Sequence, residues 1–125
     1  MKKILIVDDD RDILDITKKI LTRENFQVLT AATGEMAVDI CQTDQPDLVL
    51  LDIAIPDIDG YAACEKIRKN NKTRDIPVLF LTGKELLPQG IDKHCHELNA
   101  AGYISKPFEI KELLEKIREI LGPNE

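Results

Sequence analysis

The sequence predicts an α/β protein in which helices cover both faces of a parallel sheet. Short apolar segments alternate with amphipathic segments along the chain, in the order βαβαβαβαβα. Two of the apolar segments, LVLL before Asp52 and VLFL before Thr82, carry no polar residue, which is typical of central parallel strands buried on both faces. The length of 125 residues suits one domain with one hydrophobic core.

Five short runs of branched apolar residues are predicted to be strands. They cover residues 3–7, 27–31, 48–52, 77–81 and 102–104. In parallel sheets of this kind, ligands bind outside the carboxyl ends of the strands, where the strand order reverses. The residues that follow each strand are therefore the first candidates for a functional site.

The segments between the strands are predicted to be helices because their apolar residues recur at helical spacing. Gly60 and Tyr61 begin one helix, which continues to about Asn70, and the last helix ends at Gly122 and Pro123. The other apolar stripes are formed by Ile13, Ile16, Ile20 and Leu21, by Ile91, Cys95 and Leu98, and by Leu113, Leu114, Ile117, Ile120 and Leu121.

Composition narrows the possible partners and the compartment. The 17 basic and 23 acidic residues give a formal net charge of −6, which argues against nucleic acid or an anionic membrane as the main partner. Only four apolar residues follow residues 1–3, too few for a signal peptide, and no apolar run is long enough to cross a membrane. The three widely spaced cysteines, Cys41, Cys64 and Cys95, favour free thiols, so we expect a cytoplasmic protein.

Carboxylates follow two of the predicted strands. Asp8, Asp9 and Asp10 come directly after the first strand, and Asp52 ends the third. A cleft that collects several carboxylates needs a cation, and oxygen ligands without His or Cys suit a hard ion such as Mg²⁺. Taken alone, the three consecutive aspartates fit helix capping equally well. With the rest of the site, we interpret Asp8 and Asp9 as metal ligands and Asp10 as a cap or first-turn acid of the first helix.

A hydroxyl and an ammonium follow the last two strands. Thr82 comes after the fourth strand and Lys106 after the fifth. The hydroxyl can donate a hydrogen bond to a phosphate, and the ammonium can bind one as a point charge. A carboxylate beside Mg²⁺, facing such a pocket, can accept a phosphoryl group as an aspartyl phosphate. Asp52 is the candidate acceptor.

Four segments resemble the signature blocks of the receiver domain of two-component response regulators. They are ILIVDDD, LVLLDIAIPDIDGY, VLFLTG and GYISKPF, in the family's order and with nearly its spacing. The resemblance extends over essentially the whole chain. It implies a flavodoxin-like (βα)5 fold with strand order 2-1-3-4-5 and a cis peptide bond between Lys106 and Pro107.

The resemblance also implies a role for each matching residue. Asp52 would be the phosphoacceptor and would bind Mg²⁺ (or Mn²⁺), together with Asp9 directly, Asp8 mostly through water, and the backbone carbonyl of Ala54. Thr82 would be the switch hydroxyl, and Lys106 would be the lysine that the family has in its site. Tyr103 would be the aromatic residue that turns inward on activation.

Other polar residues are predicted to have structural roles. Asp57 and Asp59 lie in a turn rich in helix breakers, and we interpret them as turn and N-cap residues rather than ligands. His94 and His96 suggest a metal pair, but residues two apart on a helix point in nearly opposite directions. The sequence therefore predicts a core Cys95 flanked by two surface histidines.

The chain departs from the family pattern at three places. Gly83 follows Thr82 where the family usually has a small residue such as Ala or Ser, which loosens the backbone there. The segment 83–98 is longer than usual, and we expect Pro88 and Gly90 to delay the fourth helix. Ala54 offers no polar side chain to orient a water that attacks the aspartyl phosphate.

These observations predict a single-domain response regulator: a receiver domain over residues 1–121, a short tail over 122–125 and no output domain. We expect it to catalyse its own phosphorylation by a histidine kinase or phosphotransfer protein, and its own dephosphorylation, without being a conventional enzyme. It would then switch binding to an unknown downstream protein as a monomer or weak dimer, without contacting nucleic acid or a membrane. Two alternatives remain open: a receiver-like adaptor that acts without phosphorylation, and a phosphatase of the haloacid-dehalogenase type.

Overall fold

A computed structural model describes residues 1–83 and 88–122 of the chain. Five strands alternate with five helices, in the predicted order. Along the chain these elements are β1 (Lys3–Val7), α1 (Arg11–Arg23), β2 (Gln27–Ala31), α2 (Gly34–Asp44), β3 (Leu48–Asp52), α3 (Gly60–Lys69), β4 (Val78–Thr82), α4 (Pro88–Glu97), β5 (Gly102–Ser105) and α5 (Ile110–Leu121).

All five strands are parallel and lie in the order β2-β1-β3-β4-β5, as the resemblance implies. The peptide bond between Lys106 and Pro107 is cis, as expected. The sheet separates two apolar layers. One contains buried residues of α2, α3 and α4, and the other contains buried residues of α1 and α5. The doubly wound architecture is therefore confirmed.

The strand bounds differ from the prediction at two places. β4 begins at Val78, one residue later than predicted, and includes Thr82. Pro77 has no N–H to donate to the ladder, although its carbonyl accepts a hydrogen bond from the Val49 N–H at 3.0 Å. β5 continues one residue further than predicted, to Ser105.

Side-chain caps fix the starts of two helices that border the sheet's carboxyl edge. Asp10 caps α1 by accepting from the Asp12 N–H at 3.0 Å, and Asp59 caps α3 by accepting from the Ala62 N–H at 2.8 Å. The cap by Asp59 was predicted, and for Asp10 the structure shows the cap rather than the alternative of a first-turn acid. α5 ends at Leu121, and Gly122 follows with a positive φ of 79°, which glycine adopts readily, as the predicted stop indicated.

The fourth helix begins at Pro88, which favours the first helical position because its fixed φ suits a helix and its missing N–H is not needed there. Gly90 does not delay the helix, since it lies within the first turn and a Cβ there would meet open space. Residues 84–87 of the longer loop lie outside the described residues, so the prediction about its length is not tested.

The histidine prediction was correct for His96, which is exposed, and wrong for His94. The His94 ring is half-buried and stacks on the Tyr61 ring, with centroids 3.8 Å apart and planes at 21°. Cys95 is half-buried and packs against the α2–α4 side of the core. A stacking partner on α3 explains the burial of His94, and local spacing cannot reveal such a partner.

The cysteines are free thiols, as predicted. Burial raises the pKa of Cys41 to about 12 and that of Cys64 to about 11. Both groups are therefore neutral near pH 7 and belong to the core. In the part of the chain that the structure describes, no helix combines the length and apolar character needed to cross a membrane.

Candidate functional site

The strand order places the predicted site residues at one edge of the sheet. Asp8 directly follows β1, Asp52 is the last residue of β3, and Thr82 is the last residue of β4. Because these three strands are neighbours in the sheet, their carboxyl ends lie side by side. Lys106 follows β5 and reaches across β4 towards the same point.

One ammonium group joins two buried carboxylates at this edge. Lys106 Nζ donates to Asp8 Oδ2 at 2.5 Å and to Asp52 Oδ2 at 2.9 Å. Asp8 is 1% exposed and Asp52 is 6% exposed, so both charges are largely removed from water. Two buried carboxylates repel one another, and the ammonium between them offsets that repulsion.

Backbone hydrogen bonds hold these three side chains in place. Asp8 Oδ1 accepts from the Asp10 N–H at 2.9 Å, and Asp52 Oδ1 accepts from the Ala54 N–H at 3.1 Å. The Lys106 N–H donates to the Thr82 carbonyl at 2.7 Å. Each carboxylate thus has one oxygen fixed by the backbone and the other fixed by the ammonium.

The environment raises the pKa of both partners of the Asp52–Lys106 pair. Burial is the main cause that raises the pKa of Asp52, and it outweighs the opposing hydrogen bond from Lys106. Burial acts to lower the pKa of Lys106, but the hydrogen bonds to Asp8 and Asp52 together outweigh it and raise that pKa. Lys106 is therefore firmly protonated near neutral pH.

A third carboxylate completes an acidic cluster at the mouth of the site. Asp9 is exposed, and one carboxylate oxygen from each of Asp8, Asp9 and Asp52 lies within 4.8 Å of the others. Oxygen donors alone, with one donor open to water, are the ligands that Mg²⁺ prefers. The residues present therefore fit a hard divalent cation at the position that the sequence predicts.

Thr82 and Tyr103 differ in burial and lie on different strands of the sheet. Thr82 is buried at the end of β4, and its hydroxyl donates to the Gly83 carbonyl at 3.1 Å. Tyr103 is half-buried on β5, opposite Phe80 in the ladder, and packs against the α2–α4 side of the core. Thr82 thus lies at the carboxyl end of a central strand, beside the acidic cluster, whereas Tyr103 lies within the outermost strand β5.

The sequence correctly placed Asp57 in a turn but did not predict its main contacts. Asp57 Oδ1 accepts from the Gly34 N–H at 3.0 Å, and Asp57 Oδ2 accepts from the Glu35 N–H at 3.2 Å. Asp57 therefore caps α2, a helix that begins 23 residues earlier in the chain. No signal near Asp57 indicates this partner, because the contact exists only once α2 and α3 pack side by side.

The chain belongs to the response regulator receiver domain family, whose model matches residues 4–118. It is 36% identical over 125 residues to the alkaline phosphatase synthesis transcriptional regulatory protein PhoP of Bacillus subtilis. The alignment covers 99% of this chain and 50% of PhoP. The chain spans about half the length of the curated relatives it matches. The matched residues include Asp8, Asp9 and Asp52, which form the acidic cluster.

Solved structures with the same fold include close relatives in sequence. The CheY-like receiver domain protein of Methanospirillum hungatei JF-1 is 37% identical with a TM-score of 0.87, over 97% of this chain and 94% of that one. The receiver domain of the sensor histidine kinase PA1611 of Pseudomonas aeruginosa PAO1 is 29% identical with a TM-score of 0.86, over 97% and 98%. That domain was solved with a magnesium ion coordinated in its active-site cleft.

Proposed function

We propose that this receiver domain accepts a phosphoryl group on Asp52, with a divalent cation held by Asp8, Asp9, Asp52 and the backbone carbonyl of Ala54. The observation that carries the proposal is the single Lys106 ammonium between two buried carboxylates, with a third carboxylate at the open side. The cation would be Mg²⁺ or Mn²⁺. Family membership and the magnesium ion in the PA1611 receiver support the same arrangement.

Asp52 is suited to act as the nucleophile. One of its carboxylate oxygens would attack the phosphorus of a phosphohistidine, forming an O–P bond as the P–N bond to the donor imidazole breaks. The departing imidazole nitrogen keeps the electron pair of that bond. The Ala54 N–H already fixes Asp52 Oδ1, so the side chain is oriented before the donor arrives. When bound, the cation supplies positive charge that offsets the charge on the transferring oxygens.

Lys106 and Thr82 would hold the phosphoryl group once it has been transferred. Lys106 Nζ would exchange its contact with Asp52 Oδ2 for one with a phosphoryl oxygen, keeping a charge-assisted hydrogen bond. The Thr82 hydroxyl would rotate from the Gly83 carbonyl towards another phosphoryl oxygen. These new contacts exist only in the phosphorylated state, so they can shift an equilibrium between two conformations.

The conformational change would alter partner binding at the surface formed by β5 and its neighbouring helices, α4 and α5. Tyr103 is half-buried in β5 and borders an open groove of about 430 Å³ that residues of α4, β5 and α5 line. We propose that an inward turn of Tyr103 changes the affinity of that surface for a downstream protein. The phosphoryl donor would be a histidine kinase or phosphotransfer protein, and dephosphorylation would use the same site.

The test uses Mg²⁺, a small acyl phosphate as donor, and the intact mass of the protein. We expect one phosphoryl adduct on the wild-type chain, none on Asp52→Asn, and none when the cation is removed by a chelator. Asp59→Asn is the matched control, because it changes a nearby aspartate that caps α3 and leaves the acidic cluster intact. An adduct that persists in Asp52→Asn would overturn the proposal.

We also propose that the receiver acts as a single-domain regulator, as a monomer or weak dimer in the cytoplasm, without contacting nucleic acid directly. The net charge of −6 and the three free thiols support this setting. An immunoblot of the protein in its own cells tests the size. A band near 14.1 kDa supports the single-domain form, and one about twice as large would show a longer regulator.

A further inference from the structure

The loop between β3 and α3, residues 53–59, carries the peptide that follows the phosphoacceptor. This segment, the β3–α3 loop, is anchored at its base by two hydrogen bonds. The Ile53 N–H donates to the Leu81 carbonyl at 3.1 Å, and the Gly60 N–H donates to the Ile53 carbonyl at 2.8 Å. The loop therefore leaves the sheet and returns to it at the same residue.

The tip of the loop is fixed to the amino-terminal end of α2. Both carboxylate oxygens of Asp57 accept backbone N–H groups there, from Gly34 at 3.0 Å and from Glu35 at 3.2 Å. Asp57 itself has a φ of 67°, in the left-handed region, where the chain reverses direction. The carboxylate is thus the group through which the turn is hydrogen-bonded to the helix.

Close packing leaves the loop little freedom beside that hydrogen-bonded contact. A Cβ built on Gly34 would lie 2.5 Å from Ile58 Cγ1 and 2.8 Å from the Ile58 carbonyl oxygen. A Cβ built on Gly60 would lie 2.5 Å from the Asp52 carbonyl oxygen. Glycine at both positions lets the loop lie directly between α2 and the end of β3.

We propose that Asp57 is a positioning residue for the cation. By holding the tip of the β3–α3 loop on α2, it fixes the peptide of Ala54 where the carbonyl can bind a divalent cation beside Asp52. The inference rests on the proposed function, because it concerns the metal that the acidic cluster would hold. Asp57 does not touch the metal itself, and it acts through the backbone of the loop.

A role in capping alone would make a different prediction, and α2 supplies the control. The helix has its own N-cap, Thr33, whose hydroxyl accepts from the Met36 N–H at 3.2 Å. Thr33→Ala and Asp57→Ala each remove a side-chain cap from the same end of α2. Only Asp57 also belongs to the loop that carries Ala54, so only its loss should change the metal site.

The experiment measures Mg²⁺ affinity by calorimetric titration, together with the melting temperature, for the wild type, Asp57→Ala, Asp57→Asn and Thr33→Ala. We expect Asp57→Ala to weaken Mg²⁺ binding by about tenfold, the lower end of the effect of groups that orient metal ligands. Asp57→Asn should lose less, because the amide keeps one acceptor oxygen and tolerates a left-handed φ. Thr33→Ala should lower the melting temperature and keep the wild-type affinity.

Two outcomes would overturn the inference and are distinguishable from failure of the metal site. Wild-type affinity in Asp57→Ala, or an equal loss in Thr33→Ala, would show that Asp57 only caps α2. If the wild-type chain takes up no Mg²⁺, the proposed metal site is wrong, and this inference falls with it. Since Asp57→Asn keeps both the turn and one acceptor, it remains measurable even if Asp57→Ala does not fold.

Discussion

The central and the edge strands of the sheet differ in burial, and the candidate phosphoacceptor Asp52 and the predicted switch aromatic Tyr103 divide in the same way. Four of the five residues of β1 and all five residues of β3 and of β4 are buried, whereas most residues of β2 and β5 remain partly exposed. The carboxylates Asp8 and Asp52 stand at the ends of the central strands β1 and β3, and Lys106 reaches them from the end of the edge strand β5. Tyr103, the predicted switch aromatic residue, lies on the edge strand β5, whereas Thr82, the predicted switch hydroxyl, ends the central strand β4.

This difference agrees with what each proposed role requires. A phosphoacceptor needs a dry, fixed environment in which charges act strongly, and the buried ends of β1 and β3 provide it. A switch residue needs two positions of similar energy, and a half-buried side chain loses less by moving than a fully buried one. The comparison predicts large effects from substitutions in the central strands and small effects at the edge.

The largest expected effect comes from truncating a central leucine. Leu50 on β3 is fully buried, and Leu50→Ala should lower the free energy of unfolding by about 2–5 kcal/mol, because it removes buried methyl groups and leaves a cavity. Leu29→Ala on the edge strand β2, where the side chain is partly buried, should cost about 1 kcal/mol. Urea unfolding measures both. Equal losses would contradict the distinction between central and edge strands.

The next largest effect concerns the charge at the ends of the central strands. Lys106 is 20% exposed, and Lys106→Met would leave the buried Asp8 and Asp52 without their common partner. We expect the free energy of unfolding without metal to fall by about 2–4 kcal/mol, with partial recovery when Mg²⁺ is added. The exposed Lys18 supplies the control, since Lys18→Met should change stability by no more than about 0.5 kcal/mol. Wild-type stability in Lys106→Met would show that the ammonium does not offset the two carboxylates.

A smaller effect is expected where α4 covers the outer part of the sheet. The stack between Tyr61 on α3 and His94 on α4 should contribute a coupling energy of about 0.5–1.5 kcal/mol, as aromatic pairs do. A double-mutant cycle of Tyr61→Ala and His94→Ala measures it. His96→Ala, on the exposed side of the same helix, is the control. Additive losses from the two alanine substitutions would mean that the rings do not couple α3 to α4.

The smallest effect concerns pH and the contact between the β3–α3 loop and α2. Backbone N–H groups, Ile58 first and then Glu35 and Gly34, hold the pKa of Asp57 below its ordinary range. Because the pKa is lower in the folded state, Asp57 stabilises the fold above the unfolded pKa of about 4 and loses this effect as pH falls through the folded pKa. The melting temperature of the wild type should therefore be higher than that of Asp57→Asn at pH 7, and this difference should disappear at acidic pH. A difference in melting temperature that does not change with pH would show that the Asp57 carboxylate does not cause it.

Much of this organisation could be predicted from local patterns. The uniform apolar runs before Asp52 and Thr82 identified two central strands, and the position of polar residues at strand ends identified the acidic cluster. Asp10 and Asp59 were predicted as caps because a capping side chain bonds to amides two or three residues away. The strands and the caps depend on residues close together in the chain, and the acidic cluster follows from the rule that ligands bind at the carboxyl ends of parallel strands.

The features that were missed depend on contacts between distant segments. The stacking of His94 joins α4 to a ring on α3, and the capping of α2 by Asp57 joins residues 23 apart. The start of β4 at Val78 shows a smaller limit, since Pro77 is as apolar as a strand residue but lacks the N–H that the ladder needs. Hydrophobic periodicity records neither the two long-range contacts nor the missing N–H of Pro77.

The sequence by itself predicted the polar residues of the candidate site and the end of the sheet that they occupy. The spacing of its apolar residues defines each strand and helix, and the polar residues after the strands are therefore placed together. Only the tertiary structure decided the partners. It joins Lys106 to Asp8 across 98 residues and to Asp52 across 54, because the strand order makes these distant ends neighbours. A local pattern specifies how each segment is buried, whereas the pairing of charges depends on how the segments pack.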